Sequence, residues 1–274
     1  MRGQVKILQK KIIAKKRRRV FLLSLYSVFA LGLLISALSY VSQMRSMRID
    51  TVEVSGNVRL SSVEIEDVVR EKIAGNFLGF FSKSNSFIYP KEEVVKAIEA
   101  IPAINGVEVE RGGENSLKVK VEEKKEVAQW CLGDAFDLSD CYSIDEDGYI
   151  FAKGVALASS TPIIYRMVID SEVLGKHFLD KENFKNLRFF IGQLDGLSID
   201  PKEVSIADTD YMTIYLGGGG KLIVNRADDL SKVLGNIAAI ISDKSVAPSF
   251  SQFLKELDYI KLDSGNKVVY KIKQ

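Results

Sequence analysis

The chain has 274 residues, 46% of them apolar and 27% charged, with a formal net charge of +2. That balance is ordinary for globular protein and long enough for a core in each of two small domains, which excludes the classes recognised by biased composition. The near-neutral total hides an asymmetry: residues 1–19 hold nine of the 38 basic residues and none of the 36 acidic ones, leaving 29 against 36 and a net of −7 beyond them.

Val20 to Val41 is a run of 22 residues without a charge. As a helix it reaches ~33 Å at ~1.5 Å per residue, one crossing of a bilayer, so residues 20–42 are expected to be a transmembrane helix. Lys10, Lys11, Lys15, Lys16, Arg17, Arg18 and Arg19 crowd one end, while only Arg45 and Arg48 lie beyond the other. The bias predicts a basic cytoplasmic tail over residues 1–19 and an extracytoplasmic bulk. A cleaved signal peptide is the rival, with Ala37-Leu38-Ser39 as its site, but the run exceeds the ~7–15 residues of a signal core, which favours a retained anchor. No cysteine directly follows the run, so a lipoprotein anchor there is excluded. Like-charge blocks also serve as nucleic-acid tails; beside a span, topology and contact with anionic lipid are the expected roles, and no nucleic-acid partner is assigned.

Met47 to Gly56 reads as a short strand, followed by a Ser-Gly-Asn turn. Ser61-Ser62-Val63-Glu64 fits a capping box, and Ile65, Val68, Val69 and Ile73 fall at helical spacing. Gly75 to Tyr89, GNFLGFFSKSNSFIY, is too broken for a regular element and too apolar for a linker. It is expected to fold against the domain, with core packing as the use of its phenylalanines and a partner or lipid contact as the alternative. Pro90 suits a first helical position, and Val94, Val95, Ile98 and Ile101 form the stripe of a second helix that stops at Pro102. NGVEVER and SLKVKVEEKKEVAQW then alternate with period two around Gly112-Gly113-Glu114-Asn115, a hairpin. Strand, helix, helix, strand, strand makes a two-layer domain over residues 47–124.

Residues 125–274 read as a strand-rich domain: a hairpin around Asp145-Glu146-Asp147-Gly148, a strand near Ile163 to Ile169, and a pair around Gly217 to Gly220. Two helices interrupt it, one on Phe184, Leu187, Ile191 and Leu194, the other on Leu230, Val233, Leu234, Ile237 and Ile241. The fold class is therefore α+β throughout. Cys131 and Cys141 fall in the part expected outside the cytoplasm, where a disulfide closing WCLGDAFDLSDCY can persist, two unpaired thiols being the alternative. A metal there would need more soft ligands than His177 supplies.

Signatures of catalysis are weak. Gly217 to Gly220 lacks the Gly-Lys-Ser/Thr of a phosphate loop and runs into a strand. His177 has no serine in a Gly-x-Ser-x-Gly elbow to work with, and Asp145, Glu146 and Asp147 lack the spaced oxygens of a calcium loop, so a solvated turn is expected. No catalytic, cofactor or metal residue and no small-molecule substrate is assigned.

In order and spacing the pieces resemble the bacterial cell-division proteins FtsQ and DivIB: a basic tail, one span, a POTRA domain and a C-terminal β-domain. The residues carrying the resemblance are Ile49 to Asn57, Ile101-Pro102-Ala103-Ile104 leading into Val107 to Arg111, Leu117 to Glu123 with Ala128 and Trp130, and Asp145 to Phe151. Gly-Glu-Asn stands where the family has Trp-Pro-Asn, Glu126 where proline is common, and Tyr259-Ile260-Lys261-Leu262-Asp263 reverses both charges of a family-like Tyr-Ile-Asp-Leu-Arg. The resemblance implies a non-enzymatic scaffold of the division machinery in the inner membrane, without cofactor, holding other single-span proteins of the FtsB, DivIC and FtsL type.

The final run, Lys267 to Lys273, alternates: Val268, Tyr270 and Ile272 are expected to face the core, and Lys267, Val269, Lys271 and Lys273 to face away. If the run is a sheet margin, Tyr259, Lys267, Val269, Tyr270 and Lys271 form the expected partner edge, and proline at Val269 should remove a ladder donor. Lysines that merely guard an edge against aggregation are the alternative. Two other function classes remain open on residues alone: a membrane-anchored secretion or assembly factor that offers its POTRA domain to client polypeptides, and an anchored cell-wall hydrolase, for which no nucleophile and base are found.

Overall fold

The computed structural model describes residues 2–113, 115–131, 140–154, 163–167, 173–206, 210–242, 249–263 and 267–273. The chain divides into two compact units, residues 1–123 and 124–274.

The first unit opens with one continuous helix, α1 (Arg2–Ser42), so the basic tail is helical and merges into the apolar run. From Lys16 to Ser42 it is long and apolar enough to cross a membrane, and the rest of the protein covers none of its apolar window. Beyond a short 3-10 turn (Arg45–Met47) come β1 (Thr51–Ser55), α2 (Ser62–Lys72), the two-residue strands β2 (Asn76–Phe77) and β3 (Phe81–Ser82), α3 (Lys91–Glu99), β4 (Ile104–Arg111) and β5 (Ser116–Glu123). The three longer strands form a sheet in the order β1-β5-β4, with β1 parallel and β4 antiparallel to the central strand.

Its core is the meeting of two periodicities. Leu117, Val119 and Val121 alternate on β5 with exposed Lys118, Lys120 and Glu122, and face Ile65 and Val69 of α2 and Val94 and Ile98 of α3. Each such side chain, fully removed from water, stabilises the layer pair by roughly 1.5–3 kcal/mol. Ser61 caps α2 by accepting from the Val63 amide, the cap expected from the sequence. Pro90 sits at the cap of α3 and Lys91 opens the helix, one position later than expected.

Two expectations fail in this unit. The alternation that carries β5 does not continue to Trp130: the strand ends at Glu123, and Ala128–Cys131 pairs in the second unit's sheet. The Gly75–Tyr89 segment contains a miniature hairpin, and its phenylalanines do not enter the core. Phe80 and Phe87 are 55% and 64% exposed and Leu78 is 89% exposed, while Phe77 and Phe81 are half-buried. What the segment buries is polar, Ser82, Asn85 and Ser86.

The second unit runs β6 (Ala128–Cys131), β7 (Cys141–Ile144), β8 (Ile150–Lys153), β9 (Ile163–Met167), α4 (Lys181–Gly196), β10 (Pro201–Ile206), β11 (Tyr211–Leu216), β12 (Lys221–Asn225), α5 (Leu230–Ser242), α6 (Phe250–Glu256), β13 (Leu257–Asp263) and β14 (Lys267–Ile272). The nine strands form one sheet in the order β14-β13-β12-β11-β10-β9-β6-β7-β8. Trp130, Tyr165, Val204, Ile214, Leu222, Val224 and Ile260 share one core with Phe184, Phe190 and Leu194 of α4, Val233 and Ile237 of α5 and Phe253 of α6. Gly217–Gly220 is the β11–β12 hairpin turn, with the Leu216 amide donating to the Gly220 carbonyl at 2.9 Å. Of the expected strand near Ile163 to Ile169, the last two residues lie outside the described residues.

Candidate partner-binding edge

β13 and β14 are joined antiparallel in the register Leu262↔Val268, Lys261↔Val269, Ile260↔Tyr270 and Tyr259↔Lys271. On its other side β13 pairs in parallel with β12. Among the described residues no strand pairs with the far side of β14, which is therefore one margin of the sheet. A ladder irregularity between Leu257 and Tyr259 adds a residue to β13 and leaves β14 regular.

The direction of each backbone group follows. The Lys273 amide donates to the Glu256 carbonyl at 2.7 Å, and successive residues of a strand alternate the side to which N–H and C=O point. Lys271 and Val269 thus spend their backbone groups on β13, and Val268, Tyr270 and Ile272 present theirs to the open margin. Proline at Val269 would accordingly break the protein's own ladder, contrary to its expected use; the outward donors belong to the neighbouring positions.

The side chains also depart from the expected division. Val268 packs against the core, but Tyr270 and Ile272 are 45% and 40% exposed, on either side of Val269 at 43%. A marginal strand has neighbours on one side only, so alternation assigns a face without covering it. Tyr270 leans edge-on against Phe253, with ring centroids 5.6 Å apart. Lys271 pairs with Asp258 at 3.2 Å, an exposed ion pair of ~0–1 kcal/mol. Tyr259, half-buried, stands opposite Lys271, and the backbone of Lys267 stands opposite Asp263. Lys273, outside the assigned set, donates from Nζ to the carbonyls of Gly218 and Lys255 and staples the strand end to the β11–β12 turn.

The other sequence candidates are structural. Cys131 and Cys141 face each other across β6 and β7, their sulfurs joined and their Cα atoms 4.0 Å apart; the loop between them lies outside the described residues. The acidic turn is built rather than merely solvated. Asp145 is buried, accepts from the amides of Asp147 and Tyr149 and pairs with Lys124 at 2.8 Å. Asp147 bridges to Lys181 and Lys185 at the start of α4, at 2.6 and 3.1 Å. The hydrogen bond from Lys181, then that from Lys185, holds the Asp147 carboxyl below its ordinary range, and the same contact raises Lys181. His177 is exposed and rests edge-on against Tyr149. Glu126, where the resembled family often has proline, accepts from Ser143 and Gln129, so a carboxylate is used in its place.

Among the described residues one helix is long and apolar enough to span a membrane, which points to a single-pass anchor, and the sheet with two helices on one face that follows it is a POTRA domain. Residues 47–124 match the family described as POTRA domain, FtsQ-type. That domain, behind an N-terminal apolar helix and ahead of a strand-rich region with further helices, fits the FtsQ/DivIB family. The family is generally non-enzymatic, and its type of POTRA domain points to a division-related scaffold. No curated protein matches the chain.

Proposed function

We propose that the protein is a non-enzymatic scaffold of the bacterial division machinery, anchored in the inner membrane with its N-terminus in the cytoplasm. Its extracytoplasmic units recruit and hold other single-span division proteins at the septum, those of the FtsB/DivIC and FtsL type. The orientation follows from the nine basic residues before the span.

The observation that carries the reading is the open margin of β14. A partner strand laid beside it gains main-chain hydrogen bonds from Val268, Tyr270 and Ile272, while the exposed Tyr270 ring and the Lys271 side chain select the sequence. Lysines also blunt edges against indiscriminate pairing, which is compatible with one chosen partner. Reconstituted full-length protein should capture a small set of single-span, coiled-coil membrane proteins from its own organism, and a chain ending at Asn266 should lose them while the rest of the unit stays folded. Retained capture, or weak capture of many unrelated peptides that maps to the POTRA strands, would favour a membrane-anchored assembly factor serving client polypeptides.

A further inference from the structure

Among the described residues, Leu78 is the most exposed large apolar side chain at 89%. It sits at the tip of the β2–β3 hairpin with φ 49°, beside Gly79 at φ 79°, in a turn closed by the Phe80 amide donating to the Phe77 carbonyl at 3.0 Å. Two positive φ values in a tight turn call for Asn, Asp or Gly. A leucine there meets steric strain and gains no packing within the protein. Phe80, next in the turn, is 55% exposed.

The position of that tip is set by α1. Ser39 donates from Oγ to the Phe80 carbonyl at 2.6 Å, and Gln43 donates to the same oxygen at 3.2 Å. The Ser82 amide donates to Ser42 Oγ at 3.2 Å, and the Asn85 side-chain amide to the Ser42 carbonyl at 3.0 Å. Ser42, Ser82 and Asn85 are all buried in this junction, so it is a built contact. Ser39 lies two residues before Val41, the end of the apolar run, ~3 Å along the helix axis. Tyr40, 73% exposed, is level with it, and exposed Arg45 and Arg48 lie just beyond. A tyrosine ring followed by cations suits the bilayer interface.

We propose that the Leu78–Phe80 turn is a membrane-inserting wedge, which enters the interface of the phospholipid leaflet from which α1 emerges. The inference rests on reading α1 as a membrane anchor. The wedge holds the POTRA domain against the bilayer at a set height, reaching about 5–10 Å into the headgroup and acyl boundary, and so fixes the distance from the membrane at which that domain meets its partners.

The test uses the full chain at one copy per phospholipid nanodisc. An environment-sensitive fluorophore is placed at Leu78→Cys, Phe80→Cys, Val58→Cys or Val28→Cys, the native cysteines being paired with each other. Val28 reports on the anchor, and Val58, 79% exposed in the loop after β1, on water. Probes at 78 and 80 should shift to the blue and be quenched by lipids carrying a nitroxide near the headgroup, the probe at 28 by deeper nitroxides, and the probe at 58 by neither. Aqueous emission from 78 and 80 with 28 embedded would overturn the wedge alone; with no other protein in the disc, it is also what a tip meant for a protein partner would give. Aqueous emission from 28 would overturn the anchor and the wedge together.

Discussion

Gly56 shows how much one missing Cβ can decide. Its φ is 85°, and a Cβ added there would lie 2.1 Å from the Val121 carbonyl oxygen of the central strand. Neither the ~1–2 kcal/mol of left-handed strain nor the collision with backbone can relax without moving β1 off β5. Gly56→Ala should abolish cooperative unfolding of the POTRA domain, read by amide exchange of β1 and β5; unchanged protection would refute the contact. Asp147 contributes through charge. Its folded-state carboxyl titrates below the unfolded value of about 3.9, so its stabilisation is complete above that range and disappears as pH falls through the lowered folded value. Asp147→Asn should therefore melt lower than the parent at neutral pH, with the two curves converging in acid; a constant gap in melting temperature would contradict the ion pair. The turn Asp147 occupies was legible in the sequence, but its lysines lie 34 and 38 residues away, a distance that local patterning does not bridge. The same holds for Glu123, whose carboxylate accepts from the amides of Val58, Arg59 and Leu60.

Elements with a strong period were the legible ones. The stripes of α2, α3, α4 and α5 and the alternation of β4 and β5 each turn the residues their spacing marked toward a core, buried or half-buried. The errors came where a period was expected past a physical boundary or was too short to see. The alternation expected from Ser116 to Trp130 breaks at five consecutive charges, Glu122 to Glu126, and Lys124 to Val127 is the crossing between two sheets. β10 begins on a proline and is six residues long, and the apolar Gly75–Tyr89 segment resembles a core loop in composition while its phenylalanines stay partly or largely outside. The β6–β7 pair is a short element that its cross-link reinforces, since closing the ten-residue separation restricts the unfolded chain by roughly 2–3 kcal/mol. Cys131→Ser with Cys141→Ser should lower the melting temperature of the second unit by several degrees and leave the POTRA transition in place. Equal melting of parent and double variant would show that the bond contributes nothing.

For the whole molecule the decisive fact is strand order, which no local pattern contains. Parallel pairings of β6 with β9, β9 with β10 and β12 with β13 interleave the sheet so that the chain's final strand ends at a margin. The sequence showed an alternating run with lysines; whether that run was interior or marginal depended on contacts far along the chain. Proline is tolerated where its missing N–H faces outward and disruptive where the N–H belongs to the ladder, so Val269→Pro should destabilise the second unit itself. The measurement that tests the scaffold most directly compares parent, Tyr270→Ala and Tyr270→Pro for binding to the captured single-span partner. Both variants lose the ring against Phe253, and only the proline also loses the outward backbone donor. A partner strand on β14 requires the proline variant to bind about tenfold or more weaker than the alanine variant, the equivalent of ~1.4 kcal/mol, with both still folded. Equal binding by the two folded variants would contradict strand pairing at this edge.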